Sequence, residues 1–194
     1  LDELIERFGI TVLEQTHLAH RRNGRVEFVW KENRLLIPWR CPSVDGAILT
    51  LQRRTLGEPR DNGRKYVFPR GRSATEPYGG ETAVEELGDD VAVAFVEGAT
   101  DTLALRWLCK REGLRVAVLG VPGVKNWNPA WARYAKGRRA IVAFDPDEAG
   151  RAAIGIVVND LYAAGALCLV ESRWPRHSKD WADELVKART HGCC

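Results

Sequence analysis

The sequence predicts an α/β protein: a mainly parallel four-stranded sheet with helices on both faces, preceded by a smaller mixed, mostly β lobe. Three observations predict it. From residue 91 onward, short apolar runs alternate with helical patterns through short links, the pattern of a parallel sheet covered by helices. Before residue 70, several short strand-like runs follow one another directly. The run Ile141-Val142-Ala143-Phe144, bounded by a turn signal, reads as a strand buried on both faces.

In chain order, residues 1–20 read as helical, with Leu4, Ile5 and Phe8 at helical spacing before a break at Gly9. Strands are expected at Val26–Trp30, Arg34–Trp39 and Ala47–Arg53, with Asp45-Gly46 as the turn between the last two and Lys65–Phe68 as a possible fourth. Gly71–Gly80 is the most linker-like stretch, which divides the chain into a lobe at 1–80 and a domain at 81–194. In that domain a short helix at Glu81–Leu87 precedes strands at Val91–Val96, Arg115–Leu119, Ala140–Phe144 and Ala166–Val170. Helices are expected at Asp101–Glu112, Pro129–Ala135 and Glu148–Ala164, and a short acidic one after Lys179.

Composition narrows the partners. The 194 residues carry 29 Lys and Arg against 26 acidic residues, and the excess sits in front: residues 1–80 hold 14 basic and 10 acidic side chains, 81–194 hold 15 and 16. Arg53, Arg54, Arg60, Arg64, Lys65, Arg70 and Arg72 face only Glu58 and Asp61, which suits a polyanion such as nucleic acid or an ordinary solvated loop. The five cysteines are odd in number and lack paired C-x-x-C spacing, so they read as reduced thiols in a cytoplasmic protein rather than a zinc site. No apolar run approaches the roughly 18–20 residues needed to span a bilayer, so no membrane is expected. The chain begins at Leu1 and contains no methionine, as a piece of a longer protein would.

Chemistry concentrates at the ends of the predicted strands. The third strand ends in two aspartates one residue apart, Asp145 and Asp147, which would project from one side of its carboxyl end, where open α/β sheets place ligands. Two like charges about 4 Å apart repel by roughly 4 kcal/mol at an effective dielectric near 20, so the pair would keep a proton or recruit a cation. Oxygen-only donors favour Mg²⁺ or Mn²⁺. The alternative is a capped helix start, since Asp is a favoured N-cap. Glu97, followed by Gly98, ends the first strand at the same edge, and Lys179-Asp180 precedes another acidic helix start.

Together these residues resemble the TOPRIM domain shared by bacterial-type primases, topoisomerases and several nucleases, over about Val91 to Leu185. Glu97-Gly98-Ala99-Thr100-Asp101 resembles the primase E-G-x-x-D, Asp145 to Arg151 the D-x-D-x-A-G-x, and Lys179-Asp180 the K-D motif. Asn33-Arg34 to Pro38, Asp45-Gly46 through Arg53-Arg54, Lys65-Tyr66 and Tyr78-Gly79 are similar in order to motifs of the bacterial DNA primase catalytic core. Val121-Pro122-Gly123 resembles the phage and plasmid branch. The sequence departs where Ser73 to Thr75 stand in place of a lysine, where Lys179-Asp180-Trp181-Ala182-Asp183 replaces K-D-P-D, and in carrying no zinc-ribbon spacing.

The resemblance implies metal-dependent nucleotidyl transfer that makes short primers on a single-stranded DNA template from nucleoside triphosphates. It implies Asp145, Asp147 and Asp180 as metal ligands, with Glu97 as a further ligand or proton acceptor. Lys65, Arg34 and Arg54 would meet the triphosphate or template backbone, and Arg151 or Lys179 would neutralise phosphate charge. Trp127 and Trp39 are candidates for base stacking. A replicative helicase or a flanking zinc-ribbon domain is an implied partner. Rival readings are a TOPRIM nuclease or topoisomerase fragment, which would use the same acids, and a nucleic-acid-binding module without turnover.

Overall fold

The computed structural model describes residues 8–13, 18–22, 25–30, 34–41, 47–55, 66–69, 71–88, 90–172, 175 and 178–191. The chain divides into two compact units, one of residues 2–39 and 48–75 and the other of residues 40–47 and 76–194.

In the first unit, β1 (Thr11–Leu13), β4 (Arg34–Arg40), β5 (Ile48–Thr55) and β6 (Tyr66–Val67) form one sheet in the order β1-β4-β5-β6, while β2 (Leu18–Arg22) and β3 (Arg25–Trp30) pair by themselves. The helix expected across residues 1–20 is therefore corrected from Thr11 onward. Thr11-Val12-Leu13 is extended and pairs antiparallel with β4, Thr11 opposite Leu36 and Leu13 opposite Arg34. A three-residue run is too short to show its own alternation, and pairing with a distant strand decides its state. The strands expected at Val26, Arg34 and Ala47 are present within one or two residues, and Asp45-Gly46 lies outside the described residues. Ile37 and Trp39 are buried, and Trp39 meets Phe68 edge to face at 5.4 Å. Arg53, read as part of a basic surface segment, is almost fully buried on β5.

In the second unit, α1 (Gly80–Glu86), β7 (Ala92–Glu97), α2 (Gly98–Arg111), β8 (Val116–Val121), β9 (Arg139–Val142), α3 (Glu148–Ala163), β10 (Leu167–Ser172) and α4 (Trp181–His191) follow the expected alternation. Pro129–Ala135, expected as a helix, is a 3-10 helix whose start is capped by Asn128, its side chain accepting from the Ala130 N–H at 3.0 Å. The four strands are parallel in the order β10-β9-β7-β8. Alternating side chains explain the layers. Val93 and Phe95 of β7 and Ala140 and Val142 of β9 join Val157 and Leu161 of α3 and Trp131 in one core. Ala94 and Val96 point the other way, toward Leu105 and Cys109 of α2, with Trp181 of α4 packed on them. No helix among the described residues is long and apolar enough to cross a membrane.

Gly120 shows how closely α2 lies on β8. A Cβ there would come within 2.3 Å of Thr102 Oγ1 and 2.7 Å of the Gly98 carbonyl oxygen. Thr102 is fully buried and donates to that same carbonyl at 2.8 Å, so it has nowhere to retreat. Gly120→Ala is expected to cost about 3 kcal/mol, read as a lowered urea midpoint with unchanged slope.

Candidate active site

The chain order around the sheet fixes where a ligand can sit. From β7 the chain moves outward to β8, crosses back to β9 on the other side of β7, and continues outward to β10. The connections after β7 and β9 thus leave in opposite directions, and the crevice beyond their carboxyl ends is the topological switch point. Glu97 is the last residue of β7. β9 ends at Val142 rather than Phe144, so Asp145 stands in the loop beyond the strand and Asp147 at the N-cap of α3. Both aspartates leave the sheet through this loop, not on the strand itself.

Each neighbouring acid already holds a backbone N–H. Asp147 Oδ1 accepts from Gly150 at 2.7 Å, so the capping alternative is realised for this residue. Glu97 Oε1 accepts from the Asp145 N–H at 3.1 Å, which ties the end of β7 to the loop after β9. Asp180 Oδ1 accepts from Asp183 at 2.7 Å, and Asp101 Oδ1 from Ala182 at 2.8 Å. Asp145 differs: its Oδ1 is buried and finds no hydrogen-bond partner among the described residues. Burial, then the charges of Asp101, Glu97, Asp180 and Asp147, push its carboxyl up to about 8. Burial also raises Glu97, with Asp147 adding to it and the Asp145 N–H opposing it.

Glu97, Asp147 and Asp180 are therefore close enough to act on Asp145 electrostatically. Asp101 is the member whose role the sequence left open. It was visible inside E-G-x-x-D, but its burial and its effect on Asp145 follow from α2 beginning at Gly98, which sets Asp101 in the first turn. The basic candidates are scattered. Arg151 is exposed and donates to the Pro146 carbonyl at 2.6 Å, and Lys179 is exposed beside Asp180. Arg54 belongs to the first unit, its guanidinium 5.6 Å from the Tyr66 ring centroid. Arg34 lies on β4 with its side chain outside the described residues, as is all of Lys65. Of the tryptophans proposed for stacking, Trp39 is 1% exposed and so closed to a base, while Trp127 is partly buried, packing on Phe95 and Trp131 and donating to Asp160 at 2.8 Å.

Among the described residues, no three His, Cys, Asp or Glu side chains form a ready metal-holding group. The donor set nevertheless fits a hard divalent cation. It is all oxygen, and the buried Asp145 oxygen lacks a partner that such a cation would provide.

Residues 94–185 match the family model described as Toprim-like. The match covers just under half of the chain. The whole chain has the fold of bacterial primase catalytic cores. It is similar to the Escherichia coli primase catalytic core at 16% identity, TM-score 0.70, over 100% of this chain and 66% of that one. It is similar to a DNA primase domain from Pseudomonas aeruginosa at 18% identity, TM-score 0.67, over 97% of this chain and 63% of that one. A DnaG primase catalytic domain bound to single-stranded DNA aligns at 18% identity, TM-score 0.67, over 99% and 64%. The chain thus spans less than two thirds of the Pseudomonas structure's length. No curated protein matches the sequence.

Proposed function

We propose that this chain is a DNA primase-like catalytic core that joins nucleotides into short primers on single-stranded DNA. The observation that carries the proposal is the half-buried Asp145 carboxyl, one oxygen unpartnered, set among four acids at the switch point of a primase-core fold. Asp145, Asp147 and Asp180 would hold Mg²⁺ or Mn²⁺, with Glu97 as a further ligand or proton acceptor. Such ions, when bound, supply the positive charge that activates an attacking 3′ hydroxyl and steadies the departing pyrophosphate.

The chain's own residues supply position and proton transfer. The Asp145 N–H fixes one Glu97 oxygen, and the raised affinity of Glu97 for a proton suits it to accept one from a hydroxyl. Asp147, held by the Gly150 N–H, keeps the start of α3 and its free N–H groups at the phosphate edge. Arg151 and Lys179 are the domain's candidates for phosphate charge, and Arg34, Arg54 and Lys65 those of the amino-terminal lobe. We place the lobe at 1–80 and the domain at 81–194, with a replicative helicase or a zinc-ribbon domain as the partner that completes the enzyme.

The test incubates the purified chain with single-stranded templates, labelled NTPs or dNTPs and Mg²⁺ or Mn²⁺, beside an Asp145→Ala, Asp147→Ala double variant. Short template-dependent products from the parent and none from the variant are expected. Metal-dependent cutting without synthesis would replace the primase by a Toprim nuclease. Salt-sensitive binding with neither reaction would leave a binding module.

A further inference from the structure

We propose that Trp181 is a positioning residue that holds Asp180 toward the Asp145 loop, and that it does so through its indole N–H as well as its packing. The proposal rests on the metal-site reading above.

Asp180 immediately precedes α4, so the first turn of that helix decides where its carboxylate lies. Two bonds pin that turn. Trp181 Nε1 donates to the Ala143 carbonyl oxygen at 2.7 Å, and the Ala182 N–H donates to Asp101 Oδ1 at 2.8 Å. Ala143 is two residues before Asp145, and its own N–H donates to the Phe95 carbonyl at 2.8 Å, two residues before Glu97. The indole therefore clamps the helix carrying Asp180 to the same stretch of backbone that fixes Asp145 and Glu97. The ring packs against the apolar layer of Ala94, Val96, Cys109 and Ala143 but is only partly buried. Packing of a half-covered ring tolerates sliding, whereas a directional N–H···O bond sets the register.

The test is Mn²⁺ binding to the whole chain, with free Mn²⁺ read by electron paramagnetic resonance, for the parent, Trp181→Phe, Asp180→Asn and the double variant. Phenylalanine keeps a ring in the apolar layer and removes the donor. Asparagine keeps the cap on Asp183. Trp181→Phe is expected to weaken Mn²⁺ binding about 10-fold, the scale on which outer partners of a metal site act. The double variant should bind no more weakly than Asp180→Asn alone, because the indole acts through Asp180. Trp107→Phe, which alters a tryptophan stacked under Arg111, should bind as the parent does. Unchanged affinity in Trp181→Phe, or additive losses in the double variant, would overturn the proposal. So would a metal-free Trp181→Phe that melts well below the parent, since Trp181 would then be a folding residue. A parent that binds no Mn²⁺ is a different result: it removes the metal-site reading and this proposal with it.

Discussion

Asp145→Asn is expected to lower primer synthesis more than 100-fold while making the metal-free fold more stable. The loss should exceed the roughly 10–100-fold that outer partners of a metal site cost, because Asp145 is proposed as a ligand itself. The gain arises from the same feature. A buried carboxylate among Asp101, Glu97, Asp180 and Asp147 is charged only at a cost, and asparagine keeps the shape without the charge. The carboxyl is only half buried, so solvent screening leaves a gain of about 1–3 kcal/mol near pH 8. Asp147→Asn should separate the two effects. Asparagine caps α3 as well as aspartate does, so stability should hold within about 0.5 kcal/mol while synthesis still falls. Paired urea melts and primer assays on both variants check this.

The same carboxyl sets a pH dependence. Its folded-state pKa, about 8, lies above its ordinary value of 3.8, so the folded chain binds the proton more firmly than the unfolded chain. The stability tied to that proton is fully present below about pH 4 and is lost as pH rises through about 8. Glu97 is raised too and acts in the same direction. Unfolding in EDTA between pH 5 and 9 should therefore show falling stability with rising pH, with a shallower slope in Asp145→Asn. Mg²⁺ should recover most of the loss at the alkaline end.

Much of the second unit was legible because its strands are buried on both faces. Val93 and Phe95 serve one core and Ala94 and Val96 the other, so the strand must be apolar throughout and stands out in the sequence. The site was legible as motifs but not as geometry. Gly98, at φ +70°, is the first residue of α2, so the helix expected from Asp101 begins three residues earlier. That shift brings Asp101 into the first turn, where its carboxylate faces α4 and acts on Asp145. The amino-terminal lobe hid more. β1 is three residues long and takes its conformation from β4, a partner more than twenty residues away, which no local pattern records.

Gly150→Ala should damage fold and site together, against the usual sign of such a change. Glycine to alanine in a helix ordinarily gains about 0.5–1 kcal/mol. At Gly150 the added Cβ would lie 2.2 Å from the Asp145 carbonyl oxygen, 3.2 Å from its carbon and 3.3 Å from Glu97 Oε1. The first two are backbone atoms, so no rotamer change relieves them. Either the start of α3 moves off the loop or the loop moves off Glu97, and both routes strain the Asp147 cap and the Asp145 N–H bond to Glu97. Overpacking usually costs about 1–3 kcal/mol, and a rigid backbone clash belongs at or above the top of that range. The expected net change is a loss of about 3 kcal/mol with synthesis and Mn²⁺ binding both severely reduced. Gly155 lies in the same helix and is exposed, and a Cβ there meets nothing within 4 Å. Gly155→Ala should therefore stabilise the chain by up to about 1 kcal/mol and leave synthesis unchanged. Opposite signs from two glycines five residues apart would show that Gly150 is kept for the close approach of α3 to the Asp145 loop. A Gly150→Ala chain as stable and as active as the parent would remove that contact from the account of the site.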